Sequence, residues 1–105
     1  MARRAIIAQS GVGTTAWIAL DTYSPLTSLA AVVSGGAATY TIQHTLDDVL
    51  NSTVTPTAFD HDTLAAQTTS QDGNYAFPIA GIRINQTVGA GTVTLTVLQA
   101  GGSVL

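Results

Sequence analysis

Histidine and aspartate side chains concentrate in two short segments of this chain, and they are the groups that could bind a metal ion or transfer a proton. The segments are Asp60–Asp62, read Asp-His-Asp, and His44–Asp48, read His-Thr-Leu-Asp-Asp. Carboxylates favour calcium and imidazole favours zinc, but the spacing matches neither an EF-hand loop nor an H-x-x-x-H pair. We therefore interpret the aspartates as loop residues that accept turn hydrogen bonds, and we predict no metal and no cofactor.

The serines, histidines and aspartates of the chain do not occur in any recognised nucleophile setting. No G-x-S-x-G elbow is present, and the absence of cysteine excludes a thiolate nucleophile. His44 falls on the apolar face of a predicted strand, where a histidine is typically a core or interface residue with one satisfied nitrogen. The sequence therefore predicts a protein that is not an enzyme.

Aromatic side chains offer a different chemistry, which is stacking on a sugar ring. Trp17, Tyr23 and Tyr75 are the candidates for such a platform, and they define an alternative function as a carbohydrate-binding β-sandwich module. Trp17 lies within a predicted strand and Tyr40 on a predicted buried face, where aromatic rings fill cores. A role for the aromatic residues in the core is therefore the favoured interpretation.

The charge content is low, since charged residues make up 9% of the 105 residues. The chain has three arginines, six aspartates, no lysine and no glutamate, and its formal net charge is −3. With no basic patch, nucleic acid is not an expected partner. Large surfaces with few charges are typical of protein–protein interfaces, so we expect this surface to lie against other protein.

The start of the chain resembles neither an export signal nor a membrane anchor. Arg3 and Arg4 precede an apolar run, Ala5–Ala8, that is far shorter than the roughly seven to fifteen residues of a signal peptide or the about twenty of a spanning helix. We therefore expect a protein that is made and kept without export and has no membrane partner.

Period-two alternation of apolar and polar residues dominates the end of the chain. Two alternating runs within Phe77–Gln99 flank a glycine-bearing turn, which predicts a β-hairpin. The apolar faces of its two strands comprise Ile82, Ile84, Val88, Val93, Leu95 and Val97.

Turn signals divide the rest of the chain into short segments. Strands are predicted over Arg4–Gln9, Thr14–Leu20 and Ala38–Leu46, and Thr63–Thr69 is a candidate short strand. Leu26–Val33 is a strand or a helical turn. Asp47–His61 is predicted to be irregular and Ser70–Asn74 to be a turn. The predicted fold is all-β, a single-domain antiparallel β-sandwich over residues 1–105 with about seven short strands, and a small β-barrel is the alternative.

Three runs of the chain carry a resemblance to a known class of proteins. They are Thr39–Asp48, Ala76–Asn85 and Gly91–Gln99, and the similarity of pattern and composition extends roughly over residues 38–99. In these runs the chain resembles small all-β structural proteins of tailed bacteriophages, the capsid decoration (cement) proteins and related virion components. The resemblance provides no individual functional residue.

The resemblance implies a virion structural protein, assembled in the host cytoplasm, that decorates and stabilises the capsid shell. Its partners would be the major capsid protein or other virion proteins, and it would form a homo-oligomer, with a trimer favoured. A tail, collar or head–tail connection component is the alternative within the same class.

Two terminal segments are the candidates for subunit contacts, the N-terminal arm Met1–Gln9 and the C-terminal tail Ala100–Leu105. The interface residues that we single out are Arg3, Arg4, Ile6 and Arg83. The arm either adds to the sheet edge of a neighbouring subunit or forms an ordinary first strand of its own sandwich. Arg83 is the one cation in the interior of a predicted strand, and we expect it to contact an aspartate, either within the subunit or across an interface.

Overall fold

Nine β-strands form the regular secondary structure in the part of the chain that the computed structural model describes, residues 3–22 and 26–99. The strands are β1 (Arg3–Ser10), β2 (Gly13–Thr14), β3 (Ile18–Ala19), β4 (Thr27–Ser34), β5 (Thr39–Thr45), β6 (Phe59–Asp60), β7 (Gln71–Tyr75), β8 (Gly81–Val88) and β9 (Thr92–Gln99). The tail Ala100–Leu105 lies outside the described residues, as does Tyr23.

The strands form two antiparallel sheets that pack face to face. The first sheet has the order β1-β9-β4-β7, and the second has the order β2-β8-β5-β6, with β3 also pairing with β8. The all-β sandwich predicted from the alternation is therefore confirmed. Strand β4, which the sequence left open between strand and helix, is an eight-residue strand in the middle of the first sheet.

The core lies between the two sheets and follows the predicted alternation. Every second residue of β9, from Val93 to Val97, is almost fully buried, and the residues between them face outward. Tyr40 is fully buried in the same layer, as expected for an aromatic core residue. Full burial of one aliphatic side chain such as Val93 or Leu95 stabilises a fold by about 1.5–3 kcal/mol.

The predicted hairpin of β8 and β9 is wrong, because the two strands belong to different sheets. Strand β9 pairs with β1 and β4, whereas β8 pairs with β5 on one side and with β2 and β3 on the other. The link between them therefore crosses from one sheet to the other. Two strands that each have one apolar face bury those faces more completely when they pack face to face than when they lie side by side in one sheet.

The crossing is tight enough that only glycine fits at positions 89 and 91. A Cβ atom at Gly89 would overlap the carbonyl oxygen of Ala37, and one at Gly91 would overlap that of Gly36. The buried Gln86 amide closes the crossing by donating to the carbonyl oxygens of Gly89 at 3.1 Å and Gly91 at 2.9 Å. Gln86 takes the inward position that follows Ile84, whereas Val88, predicted to face the core, is 60% exposed.

The predicted strand Thr14–Leu20 is divided into two short strands, β2 and β3. Between them, Thr15 makes two hydrogen bonds with Ile84. The backbone N–H of Thr15 donates to the Ile84 carbonyl oxygen, and the Thr15 hydroxyl oxygen accepts the Ile84 N–H. Because a side-chain hydroxyl accepts the ladder bond, regular pairing with β8 is interrupted there.

Two expectations for residues 63–74 are also corrected. Thr63–Thr69 consists of bends with one isolated bridge, between Gln67 and Tyr40. Ser70–Asn74, predicted to be a turn, contains most of strand β7, which pairs with β4 at the edge of the first sheet. A Cβ atom at position 73 of this strand would lie 3.1 Å from the Leu64 side chain, so glycine leaves room for that side chain.

From Arg3 onward, the N-terminal arm forms an ordinary first strand of its own sandwich, and Met1 and Ala2 lie outside the described residues. Strand β1 pairs in register with β9 over eight residues, from Arg3 opposite Gln99 to Ser10 opposite Thr92. It lies at one edge of the first sheet, and β7 lies at the other. The residues that β1 presents outward are therefore available on the surface of this subunit.

Candidate functional site

The outward surface of the first sheet is almost free of charge, and we call it the outer face. Every second residue from Ile6 in β1, from Thr92 in β9 and from Ser28 in β4 faces outward, and none of these is charged. In the described part of the sheet, charges flank this surface only at its edges, with Arg4 on β1 and Asp72 on β7.

The outer face is large enough to contribute to an interface. Three strands of eight residues and one of five, about 4.8 Å apart, span roughly 400–500 Å². A standard interface buries about 800 Å² on each partner, so this surface supplies about half of one side. Exposed apolar side chains lie on it, with Ile6 at 64% and Val32 at 50% exposure.

The predicted interface residues do not form one surface. Arg3, Arg4 and Ile6 lie together in β1, and Arg4 and Ile6 are exposed. Arg83 lies in β8 of the other sheet. The predicted set therefore combines residues at the β1 edge of the outer face with Arg83, which contacts Trp17 and Gln43 within the same subunit.

Arg83 has its main partners within the subunit, and they are not an aspartate. Its guanidinium carbon lies 4.4 Å from the centre of the Trp17 ring, and its Nε donates to Oε1 of Gln43 at 2.8 Å. The Gln43 amide nitrogen in turn donates to Oδ1 of Asp60 at 2.9 Å. The expected aspartate is thus reached through an amide, and cation–π stacking replaces the direct ion pair.

A cavity of about 290 Å³ opens where β7 and the segment after β6 meet, and we call it the edge pocket. The residues that define its chemistry are His44, His61, Asp62, Asn74, Tyr75 and Phe77. Tyr75 packs edge-on against His44, His61 and Phe77, with ring centres 4.8, 4.8 and 5.5 Å apart. Phe77 is 49% exposed at this pocket.

Both nitrogens of His61 bond to the backbone. Nδ1 accepts from the N–H groups of Thr63 and Leu64 at 3.1 Å each, so Nε2 carries the proton and donates to the carbonyl oxygen of Asn74 at 2.8 Å. Since Nδ1 and Nε2 are both used, this histidine fixes the loop against β7. Within residues 3–22 and 26–99, no group of three or more metal-ligating side chains is close enough to hold an ion.

The two upstream aspartates accept backbone hydrogen bonds in the loop after β5. Asp47 accepts the N–H of Thr57 at 2.7 Å, and Asp48 accepts the N–H of Leu50 at 3.0 Å. Asp48 therefore closes a local turn, as expected, whereas Asp47 joins two parts of the loop that lie ten residues apart.

Burial perturbs the ionisation of the His44–Tyr75 pair, whose Nδ1 and hydroxyl oxygen lie 2.8 Å apart. Burial and the neighbouring His61 lower the pKa of His44, against an opposing effect of Asp62 and Asp60. Burial, reinforced by the same two carboxylates, raises the pKa of Tyr75 above its ordinary value. The pair is therefore neutral at pH 7.

A two-sided pH dependence of stability follows from these shifts. The unfolded chain binds a proton on His44 below pH about 6.5 more readily than the folded chain, so the free energy of unfolding falls as the pH drops through that range. Above pH about 10 the unfolded chain ionises Tyr75 first, and stability falls again. Urea unfolding from pH 5 to 11 measures both effects. The variant His44→Gln should flatten the acid side, and an unchanged acid side would place its origin elsewhere.

The aromatic platform predicted for a carbohydrate is not assembled among the described residues. Tyr75 is only 3% exposed, and Arg83 covers one face of Trp17. Tyr23, the third candidate, lies outside the described residues. A second cavity, of about 390 Å³, lies beside Leu46 and Leu50, and none of the described residues that line it is aromatic.

No family model and no curated protein matches this chain. Among solved structures, it is similar to a chain from Bacillus endospore appendages, which are described as a novel family of disulfide-linked pili. The TM-score is 0.53 at 17% identity, and the match covers 95% of this chain and 87% of that chain. At this identity the similarity shows the β-sandwich fold alone. In the described part of the chain, no helix is long and apolar enough to cross a membrane.

Proposed function

We propose that this chain is a non-enzymatic structural protein of a bacteriophage virion, and that it acts as a capsid decoration (cement) protein. The observation that carries the proposal is the outer face, a surface of roughly 400–500 Å² that has charges only at its edges in the described part of the chain. Such a surface is suited to burial against other protein.

The mechanism is stabilisation by mass action. A subunit that binds the assembled shell and not the free capsid protein shifts the equilibrium towards the assembled particle. Self-association as a trimer would let several outer faces bind together, and linked binding increases avidity without any new contact. The similar fold in a pilus subunit supports a structural role, because that protein too is part of an assembly.

A pair of exposed valines tests the proposal, one on the outer face and one on the other sheet. Val32 is 50% exposed in β4, and Val88 is 60% exposed in β8. We expect Val32→Lys to weaken binding to particles that lack this protein by at least about tenfold, or about 1.4 kcal/mol, because burying an unpaired ammonium is unfavourable. Val88→Lys should bind as the parent chain does.

Cosedimentation with such particles measures the affinity, and urea unfolding checks that both variants are folded. Equal binding by the two variants would remove the outer face as the contact surface. A tail, collar or connector component remains the alternative, and the two locations differ in the number of copies per particle.

A further inference from the structure

The two edges of the sandwich have opposite electrostatic character. The edge formed by β7 and the segment around β6 carries Asp60, Asp62 and Asp72, and no arginine lies on it in the described part of the chain. The opposite edge carries the Arg3–Arg4 end of β1, with Asp21 nearby because its backbone bonds to the Gln99 side chain.

The edge pocket has the chemistry of a site for a guanidinium group. It combines an exposed aromatic ring, Phe77, and a carboxylate, Asp62, in a cavity of about 290 Å³, close to the lower end of the range of small-ligand pockets, about 300–1,000 Å³. Burial lowers the pKa of His44, so this ring adds no positive charge near neutral pH. A guanidinium over an aromatic face is attracted by the charge distribution of the ring, and a nearby carboxylate adds an ion pair.

One of the three arginines of the chain is already bound in this way within the subunit. Arg83 lies over the Trp17 ring at 4.4 Å and reaches Asp60 through Gln43. Arg4, by contrast, is exposed, and within the described residues no hydrogen bond or ion pair to its side chain is seen. Arg4 is therefore an available cation with a complementary site on the same molecule.

Sheet register shows that Arg4 cannot fill the pocket of its own subunit. Arg4 pairs with Leu98, Leu98 with Ser28, and Ser28 with Asn74, so the arginine and the pocket lie at the same height on opposite edges. Three inter-strand steps separate them, which is roughly 14 Å. A second copy placed edge to edge, with no shift along the strands, brings its Arg4 to the height of Asn74, beside the pocket.

We propose that the edge pocket receives the Arg3–Arg4 end of β1 from a second copy of this chain, so that copies associate edge to edge. The contact is heterologous, joining one edge to the opposite edge, and such contacts close into rings when the rotation between copies permits it. Closure after three copies would give the trimer that the resemblance implies. This inference rests on the proposed function only in taking the protein to be a self-associating structural component.

Charge-neutral variants of the full chain test the contact. We expect Asp62→Asn and Arg4→Gln each to shift the molecular mass measured by sedimentation velocity from that of an oligomer towards that of a monomer, with the dissociation constant increased about tenfold. The variant Arg3→Gln shows whether the preceding arginine also contributes. Asp48→Asn is the matched control, because it changes the net charge equally and keeps an oxygen for its turn hydrogen bond. Equal masses for Asp62→Asn and Asp48→Asn would overturn the proposal.

The absence of cysteine allows an independent test by cross-linking. Ile6 pairs through Thr96 and Ala30 with Asp72, so these two residues also lie at one height on opposite edges. A mixture of Ile6→Cys and Asp72→Cys chains should form heterodimers with a short bis-maleimide, whereas Ile6→Cys with Val88→Cys should not. Homodimers of Ile6→Cys in equal yield would indicate pairing of two β1 edges and contradict the proposal.

The two proposals fail separately. A chain that binds particles as a monomer would retain the proposed function and contradict this contact. Oligomers that depend on Asp62 and do not bind particles would support the contact and contradict the proposed function.

Discussion

Replacing Gly89 by alanine is expected to lower the free energy of unfolding by about 3–5 kcal/mol. Gly89 has a φ of +96°, which a residue with a Cβ adopts at an energetic penalty, and the added methyl group would overlap the carbonyl oxygen of Ala37. The overlap is with backbone, so no side-chain rotation can relieve it. The link between β8 and β9 would have to move, and with it the alignment of the two sheets.

Gly11→Ala is the matched control for this prediction. Gly11 also has a positive φ, +74°, but nothing lies within 4 Å of the position that its Cβ would occupy. Only the conformational penalty of about 1–2 kcal/mol is expected there. Urea unfolding followed by Trp17 fluorescence compares the variants, and equal losses would mean that the crossing is not sterically constrained.

His61→Ala is expected to lower the free energy of unfolding by about 2–4 kcal/mol, since three hydrogen bonds are lost at a site with little solvent. His61 is only 7% exposed, and its ring satisfies the N–H groups of Thr63 and Leu64 and the carbonyl of Asn74. Without the ring, these backbone groups lose their partners and the edge pocket loses one wall.

Asp62→Ala provides the comparison, because it alters the adjacent exposed residue and leaves the backbone bonds intact. We expect a change of less than about 0.5 kcal/mol for this surface substitution. The two free energies of unfolding are measured side by side in urea at pH 7.5. A loss for His61→Ala no larger than for Asp62→Ala would show that water replaces the ring without penalty.

Alternation in the sequence predicts the strands and their buried faces well, but not which sheet each strand joins. The apolar faces of β8 and β9 have the same period in a hairpin and in two stacked sheets, so the glycine-bearing link fits both arrangements. The distinction depends on the approach of Gly89 to Ala37, which is a contact between segments distant in the chain. The sequence of β7 is polar and contains glycine, so only its pairing with β4 makes it a strand.

The candidate sites were predictable to different degrees. The low charge content predicts an uncharged surface. The strand predicted over Arg4–Gln9 contains Ile6, and this strand forms one side of the outer face. The edge pocket could not be found in this way, because His44, Tyr75 and Phe77 come from different elements. The one signal was the position of His44 on an apolar face, and its bond to Tyr75 agrees with a histidine that has one satisfied nitrogen.

The proposed role on a capsid is tested most directly by locating and counting the chain on the particle that contains it. Electron microscopy of purified particles, combined with quantitative mass spectrometry, gives the position and the number of copies. We predict density on the outside of the capsid, with the outer face against the shell and hundreds of copies per particle. No density on the capsid, or tens of copies or fewer confined to the tail, would contradict the account.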